Sequence, residues 1–321
     1  MERPNSMVSF FPVLMPDEHL FSIFARYHQI AGNATIDRTK AQLGLAAGPL
    51  KPQDVSNQTF HTALKTAATL LMQSLSKVAR DHTLVPLLKL SLPSRIQDQL
   101  HTAWENDQSS IPAPNTLMND RMLTFDKSWR FCNECIKTDT REVGFGYWHL
   151  SHQIPSIKRC KIHQAPLLSS GLKTLNDFQL PRDAHENTVQ GSDNLMENRW
   201  ECWLMELFAS CQASGSWVGL EVLKATFENV WGVPKKPGWA RTRRYEEIVG
   251  YVEDVAGIPL LETIFEFYQG DRLTYRGRAR PNFIRATFES TDPKIRHPIY
   301  YLLPIWAAGL SPHPVEWSRG L

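Results

Sequence analysis

The chain predicts a mainly α-helical protein: a helical N-terminal unit of helix-turn-helix character, a small central zinc-finger module with short β-strands, and a helical C-terminal unit. Three observations carry this. Apolar residues recur at helical spacing through the first third; four metal-ligand side chains fall in two tight pairs in the middle; and apolar helical segments resume after a polar stretch at residues 176–198. The corresponding regions are residues 1–115, 116–175 and 196–321. At 321 residues, 42% hydrophobic and 21% charged, the chain has the composition of an ordinary globular protein with room for two or three cores. A formal net charge of +2 permits nucleic-acid contact without demanding it, so local charge has to decide.

The first helix is expected to start at Pro16-Asp17-Glu18, with Asp17 as N-cap and the acidic pair complementing the helix dipole. Leu20, Phe21, Phe24 and Tyr27 then share one face, and Gly32-Asn33 ends the helix. A short helix follows between Ile36 and Leu45, then a connector with Gly48, Pro49 and Pro52. A single longer helix is expected from about Phe60 to Asp81, striped by Leu64, Ala67, Ala68, Leu71, Leu75 and Val78. Residues 106–119, rich in Ser, Pro and Asn, read as a linker.

The centre carries Cys132-x-x-Cys135 and, after twenty-four residues, Cys160-x-x-His163. Each pair aims two ligands at one point, and together they close a tetrahedron around one structural Zn2+ with no vacancy for a catalytic water. A redox Cys-x-x-Cys would open a helix in a βαβ unit, which the aromatic flanks Trp129, Phe131, Phe145, Tyr147 and Trp148 do not resemble. Five cysteines, odd in number and few for the length, do not form a disulfide framework. Cys202 and Cys211, in the apolar stretch 200–211, are expected as buried free thiols. His149 and His152 lie between the ligand pairs and compete as ligands, but four better-spaced groups already saturate zinc. The spacer, with β-prone Tyr147-Trp148-His149-Leu150, is expected to hold a hairpin or a strand and short helix.

Several chemistries are excluded by their missing parts. His185-Glu186 begins a metalloprotease motif, but Val189 stands where the second histidine is required; no nucleophile elbow or Walker loop occurs, and Gly144-x-Gly146 has no third glycine at nucleotide-motif spacing. A scattered acidic set for metal-dependent phosphoryl transfer is the remaining enzymatic alternative. No stretch approaches about 18 uncharged apolar residues. The apolar run 7–15 has no cleavage site after it and does not read as a signal peptide, so a cytoplasmic protein without a membrane span is expected.

At the level of motifs the chain resembles the TniQ/TnsD target-selection proteins of cut-and-paste transposons. Pro16-Asp17-Glu18-x-Leu20-x-Ser22-x-x-Ala25-Arg26-Tyr27-His28 is similar to that family's opening helix, and Phe131-Cys132-x-x-Cys135 to its first zinc pair. Gly146-Tyr147-Trp148, His152-Gln153-Ile154-Pro155 and Cys160-x-x-His163 with Pro166-Leu167 continue the match in order. Asp81-His82-Thr83-Leu84-x-Pro86-Leu87 resembles the TnsD branch, as do, more loosely, Phe283-Ile284-Arg285 and His297-Pro298-x-Tyr300-Tyr301-Leu302-Leu303. The resemblance implies a non-catalytic protein of DNA transposition that recognises double-stranded DNA or rides on a Cascade-type RNA-guided CRISPR complex. It also implies recruitment of a TnsC-like AAA+ ATPase, and allows a homodimer.

Two basic clusters in the last third fit phosphate neutralisation around an aromatic ring: Lys235, Lys236, Arg241, Arg243 and Arg244 with Trp239, and Arg272, Arg276, Arg278, Arg280 and Arg285 with Tyr275. Lys235, Lys236, Trp239, Arg241, Arg243, Arg244, Arg276, Arg278 and Arg280 are therefore the expected DNA contacts, within a C-terminal helix-turn-helix. The competing reading is a solvated basic face paired with Glu246, Glu247, Glu253, Asp254, Glu262 and Glu266. A pure protein adaptor, using aromatics such as Trp306 and Trp317 to fill a partner groove, is the alternative function.

Overall fold

The computed structural model describes residues 8, 10–45, 57–105, 122–172, 178–184, 187–188, 194–214, 218–270, 274–275, 278–289 and 296–319. Fourteen α-helices dominate them, as the sequence predicted, alongside two small antiparallel sheets. The chain gathers into two compact units. One comprises residues 1–85, 100–113 and 127–191; the other comprises 86–99, 114–126 and 192–321. The opening helices and the Cys/His module, which the sequence suggested as separate regions, thus belong to one unit. The connector at 48–52, the linker at 106–119, His185, Glu186, Val189, Arg272 and Arg276 lie outside the described residues.

In the first unit, α1 (Leu20–Ile30) is buried on every side through Tyr27 and forms the axis of the core. A helix apolar all round belongs inside, and each large side chain taken from water contributes about 1.5–3 kcal/mol. Its N-cap is His19, whose Nδ1 accepts the Phe21 N–H at 3.1 Å, and not Asp17 as expected. Asp17 sits before the helix at φ 56°, where its carbonyl turns away to accept the Leu150 N–H. Around α1 stand α2 (Ile36–Leu43), α3 (Gln58–Leu71) and α4 (Leu75–His82).

The expected helix from 60 to 81 is two helices. Met72 adopts the left-handed conformation that ends α3, and the Ser74 hydroxyl accepts the Lys77 N–H to start α4. No glycine or proline marks this break; a serine cap and the packing of both halves on α1 produce it. Next in the chain come α5 (Val85–Lys89) and α6 (Ser94–Glu105).

The ligand pairs sit on a three-stranded sheet, β1 (Arg130–Phe131), β2 (Leu168–Ser169) and β3 (Asn187–Thr188), with α7 (Asn133–Val143) leading out of the first pair. The spacer is thus a helix, an isolated bridge at His149 and a 3-10 turn at Ser151–Gln153, not a hairpin. The segment expected as polar linker supplies the edge strand β3.

The second unit holds α8 (Leu195–Ser214), α9 (Leu220–Val230), α10 (Trp239–Ala256), α11 (Ile258–Ile264), α12 (Phe283–Phe288), α13 (Ile299–Ala307) and α14 (Pro314–Arg319), with the ribbon β4 (Thr274–Tyr275) and β5 (Arg278–Ala279). α13 is its buried centre. Phe265 packs 5.0 Å from Phe283 and 5.1 Å from Tyr300, while Phe227 stacks on Phe288 at 3.5 Å. The His297 to Leu303 motif is therefore core, and His297 Nδ1 accepts the Ile299 N–H at the start of α13. Cys211 is buried, but Cys202 faces solvent, against expectation, because α8 turns that flank outward. Among the described residues no helix is long and apolar enough to cross a membrane.

Candidate metal centre

Cys132 follows β1 and is the N-cap residue of α7, so Cys135 falls in that helix's first turn. Cys160 and His163 come from a tight turn closed by the Gln164 N–H to the Cys160 carbonyl, with the Ala165 carbonyl accepting the Cys160 N–H at 2.8 Å. The three sulfurs and the imidazole Nδ1 converge within 4.8 Å of one another; the cysteines are buried and His163 is half-buried. Cys135 Sγ lies 3.6 Å from Cys160 Sγ and 3.3 Å from His163 Nδ1, and both other sulfurs lie 3.7 Å from that nitrogen.

Tetrahedral zinc, with bonds of about 2.3 Å to sulfur and about 2.0–2.1 Å to nitrogen, sets ligand separations of roughly 3.6–3.8 Å. Three of the four separations just given match it, and the fourth, Cys135 to His163 at 3.3 Å, is slightly short, so the cluster is compatible with a single zinc ion. Three sulfurs packed this closely do not share negative charge alone: hydrogen bonds from the Cys135 and Cys160 thiols hold Cys132 well below the ordinary thiol range, while the contacts with Cys132 and Cys160 push Cys135 far above it. A dication relieves that conflict.

The two other histidines do different work. His152 Nε2 lies 3.8 Å from Cys135 Sγ, the placement of a donor that orients and steadies a thiolate. Burial, and then the charge of His149, push its pKa down to about 3, so it stays neutral. His149 is clamped by two carboxylates, Nε2 to Asp139 Oδ2 at 2.9 Å and Nδ1 to Asp17 Oδ2 at 3.4 Å, with Tyr147 stacked 4.5 Å away. Burial alone would discharge it, but Asp139 and Asp17 win and hold its pKa at about 9. With both nitrogens engaged, His149 is a buried cation and a poor metal ligand, although it shares with Cys135 and His152 a second cluster of ligand atoms.

The Pro-Asp-Glu motif locks α1 to this module. Asp17 accepts the Ser151 N–H at 3.0 Å and its hydroxyl at 2.5 Å; burial raises its carboxyl pKa, and the His149 and Ser151 contacts bring it below the usual value. The His19 N–H donates to the Trp148 carbonyl at 2.8 Å, and the Trp148 N–H to Ser22 Oγ at 3.0 Å. Glu18 is fully buried and takes Arg26 in a two-pronged pair of 2.8 and 2.6 Å. It is a core ion pair, not a dipole complement. Gln153 continues the lock, accepting the Arg130 N–H and donating to the Arg130 carbonyl.

Because His149 is charged in the fold and ordinarily titrates near 6.5, it contributes stability that is fully present below about pH 6.5 and lost as pH rises toward 9. Asp17, Asp139, Tyr147 and His152 are the groups that face it. The metal-loaded protein is expected to lose several degrees of Tm across that window, and His149→Gln to lose that dependence.

Residues 9–167, which run from before α1 through both ligand pairs to the edge of β2, match the family model described as TniQ. This is a TniQ-family protein. No curated protein sequence matches the chain. The TniQ match thus covers the opening helix, all four candidate ligands and the lock between them, while α8 to α14 lie beyond it.

Among those later helices the expected DNA contacts separate into two groups. Arg241 points inward, bonded to Glu228 at 2.7 Å, to the Tyr245 hydroxyl and to the Pro234 carbonyl. Arg244 donates to the Trp231 carbonyl at 2.6 Å and to Glu247, and Arg280 pairs with Glu253 at 3.4 Å over the Tyr268 ring. These three hold α9, α10 and their surroundings together. Lys235 and Lys236 are exposed, without a carboxylate partner among the described residues, and Trp239 is 74% exposed. Arg243 projects to solvent, with a surface pair to Glu247 at 3.1 Å and its guanidinium over the Trp239 ring. Arg276 lies outside the described residues and Arg278 is placed only as part of β5. Residues 231–238 separate α9 from α10, a longer connection than the turn of about three or four residues in a helix-turn-helix.

Proposed function

We propose that this protein selects targets for DNA transposition, without a catalytic step of its own, and that one structural zinc ion holds its TniQ domain. The TniQ match over the opening helix and both ligand pairs is the observation that supports the reading. Zinc held by Cys132, Cys135, Cys160 and His163 fixes the sheet and α7, and the Asp17 and Glu18 lock ties α1 to them, giving one rigid body to present to an AAA+ regulator. DNA contact is assigned to Lys235, Lys236 and Arg243, whose charge is available at the surface. Fixed-site recognition and attachment to an RNA-guided Cascade-type complex are the two targeting modes within this reading, and a homodimer is compatible with either.

A pure adaptor, contacting protein alone, is the second reading. It is favoured by the ion pairs that already engage Arg241, Arg244 and Arg280, which leave few cations for phosphate. Titration of the purified chain against duplex DNA, alone and with the AAA+ regulator, separates them. K235E/K236E/R243E is expected to weaken duplex binding and to flatten the slope of log affinity against log salt by about 0.9 for each phosphate that is no longer neutralised. An unchanged slope removes this patch from the interface and leaves the adaptor.

A further inference from the structure

Trp239 is the most exposed aromatic ring of the described residues, and its surroundings say what it does. It opens α10, the second-longest helix among them, at the end of a run, residues 235–240, in which every side chain faces solvent. Other large aromatics of this unit are placed differently: Trp200, Phe227, Tyr245 and Tyr268 are buried, Trp317 is 4% exposed, and Tyr251, though 49% exposed, packs edge-on against Trp231 at 5.2 Å. An indole left out of a core rich enough to bury its neighbours is an interaction element. The Arg243 guanidinium lies over the ring at 5.4 Å and fixes it, leaving the remainder of the indole open. Lys235 and Lys236 stand just before it in the chain, also exposed.

An indole offers a base edge one N–H donor and no acceptor, too little for sequence readout in a groove. Its large flat face suits something else, stacking on a base that has left the helix, with flanking cations on the adjacent phosphates. We infer that Trp239 is a stacking platform and that the Lys235, Lys236, Trp239 and Arg243 surface binds single-stranded or locally unpaired DNA in preference to intact duplex. This stacking role rests on DNA contact at the same patch, as proposed for Lys235, Lys236 and Arg243, and specifies the substrate as a strand with an unstacked base.

The test uses the full-length, zinc-loaded chain and fluorescence anisotropy with three probes of one sequence: a single strand of about 16 nucleotides, the duplex, and a duplex with a central unpaired bubble. The wild type is expected to bind strand and bubble more tightly than duplex. Trp239→Ala is expected to weaken strand and bubble binding about 5- to 150-fold, the equivalent of about 1–3 kcal/mol per stacked base, with duplex binding nearly unchanged. Trp239→Phe, which keeps a π face, is expected to recover much of the loss. Because the ring is exposed, neither variant should alter the Tm. If Trp239→Ala leaves strand and bubble binding intact while K235E/K236E/R243E still weakens duplex binding, stacking is wrong and the DNA reading stands. If neither variant changes any DNA affinity, both fail and Trp239 is a protein contact.

Discussion

Serine in place of Cys160 is expected to release the metal and unfold the centre of the TniQ domain. Cys160 Sγ is 3.6 Å from Cys135 Sγ and 3.7 Å from His163 Nδ1, so its loss opens one corner of the tetrahedron and removes the anchor of the turn that carries His163. The sheet beneath has only two residues per strand and is too small to hold itself. Zinc binding in small modules is worth about 10–16 kcal/mol, comparable to the entire stability of a domain. Metal analysis of the purified protein should therefore give one zinc per wild-type chain and none for Cys160→Ser, and far-UV circular dichroism with limited proteolysis should show the centre disordered. A wild-type chain free of zinc would remove the metal from the fold. Chelation by a strong zinc ligand should mimic the substitution, reversibly on zinc return.

Glu18→Ala is expected to be the second most damaging change, although Glu18 is neither a metal ligand nor a helix cap. Its carboxylate and the Arg26 guanidinium are almost completely buried, 0% and 1% exposed, and meet through two hydrogen bonds of 2.8 and 2.6 Å. Glu18 also accepts the Met15 N–H at 2.9 Å, and the Arg26 side chain reaches the Val13 carbonyl. Removing one partner strands the other charge in an apolar core beside Phe145, at a cost of about 3–5 kcal/mol. The remedy is part of the prediction: E18Q/R26M, which removes both charges and keeps the volume, should recover most of the loss in chemical denaturation. Equal damage from single and double variants would show that packing, and not the uncompensated charge, sets the cost.

Much of the fold was legible because its signals are local. α1 and α2 follow from apolar spacing and the turn residues between them, and the second unit's helices resume where their apolar segments do, at α8, α9 and α10. The clustering of Cys132, Cys135, Cys160 and His163 was legible for the same reason: the two tight turns each prescribe their own geometry, and only the joining of two preformed pairs was left to the tertiary structure. The break between α3 and α4 was not, since the exposed Met72 in a left-handed conformation carries no sequence mark, and the break is set by the packing of the two helices on either side of it against α1.

The charged residues were the least legible, because their role depends on partners far away in sequence. Asp17 has the spacing of an N-cap, yet its carboxylate serves His149 and Ser151, 132 and 134 residues on. Arg241 and Arg243 are two residues apart in one basic run, but the helical turn sends the first to Glu228 and Tyr245 and leaves the second over an exposed ring. His149, which competes as a metal ligand by position, becomes a buried cation because Asp139 reaches it from α7 and Asp17 closes the other side. The family motif, the helical class and the Cys/His cluster that could hold a metal were thus determined by the sequence itself, each resting on spacing within a few residues. Which acid locks which base, and which cations remain for a phosphate, was decided only in three dimensions, where Coulomb energy depends on distance and burial and not on chain order.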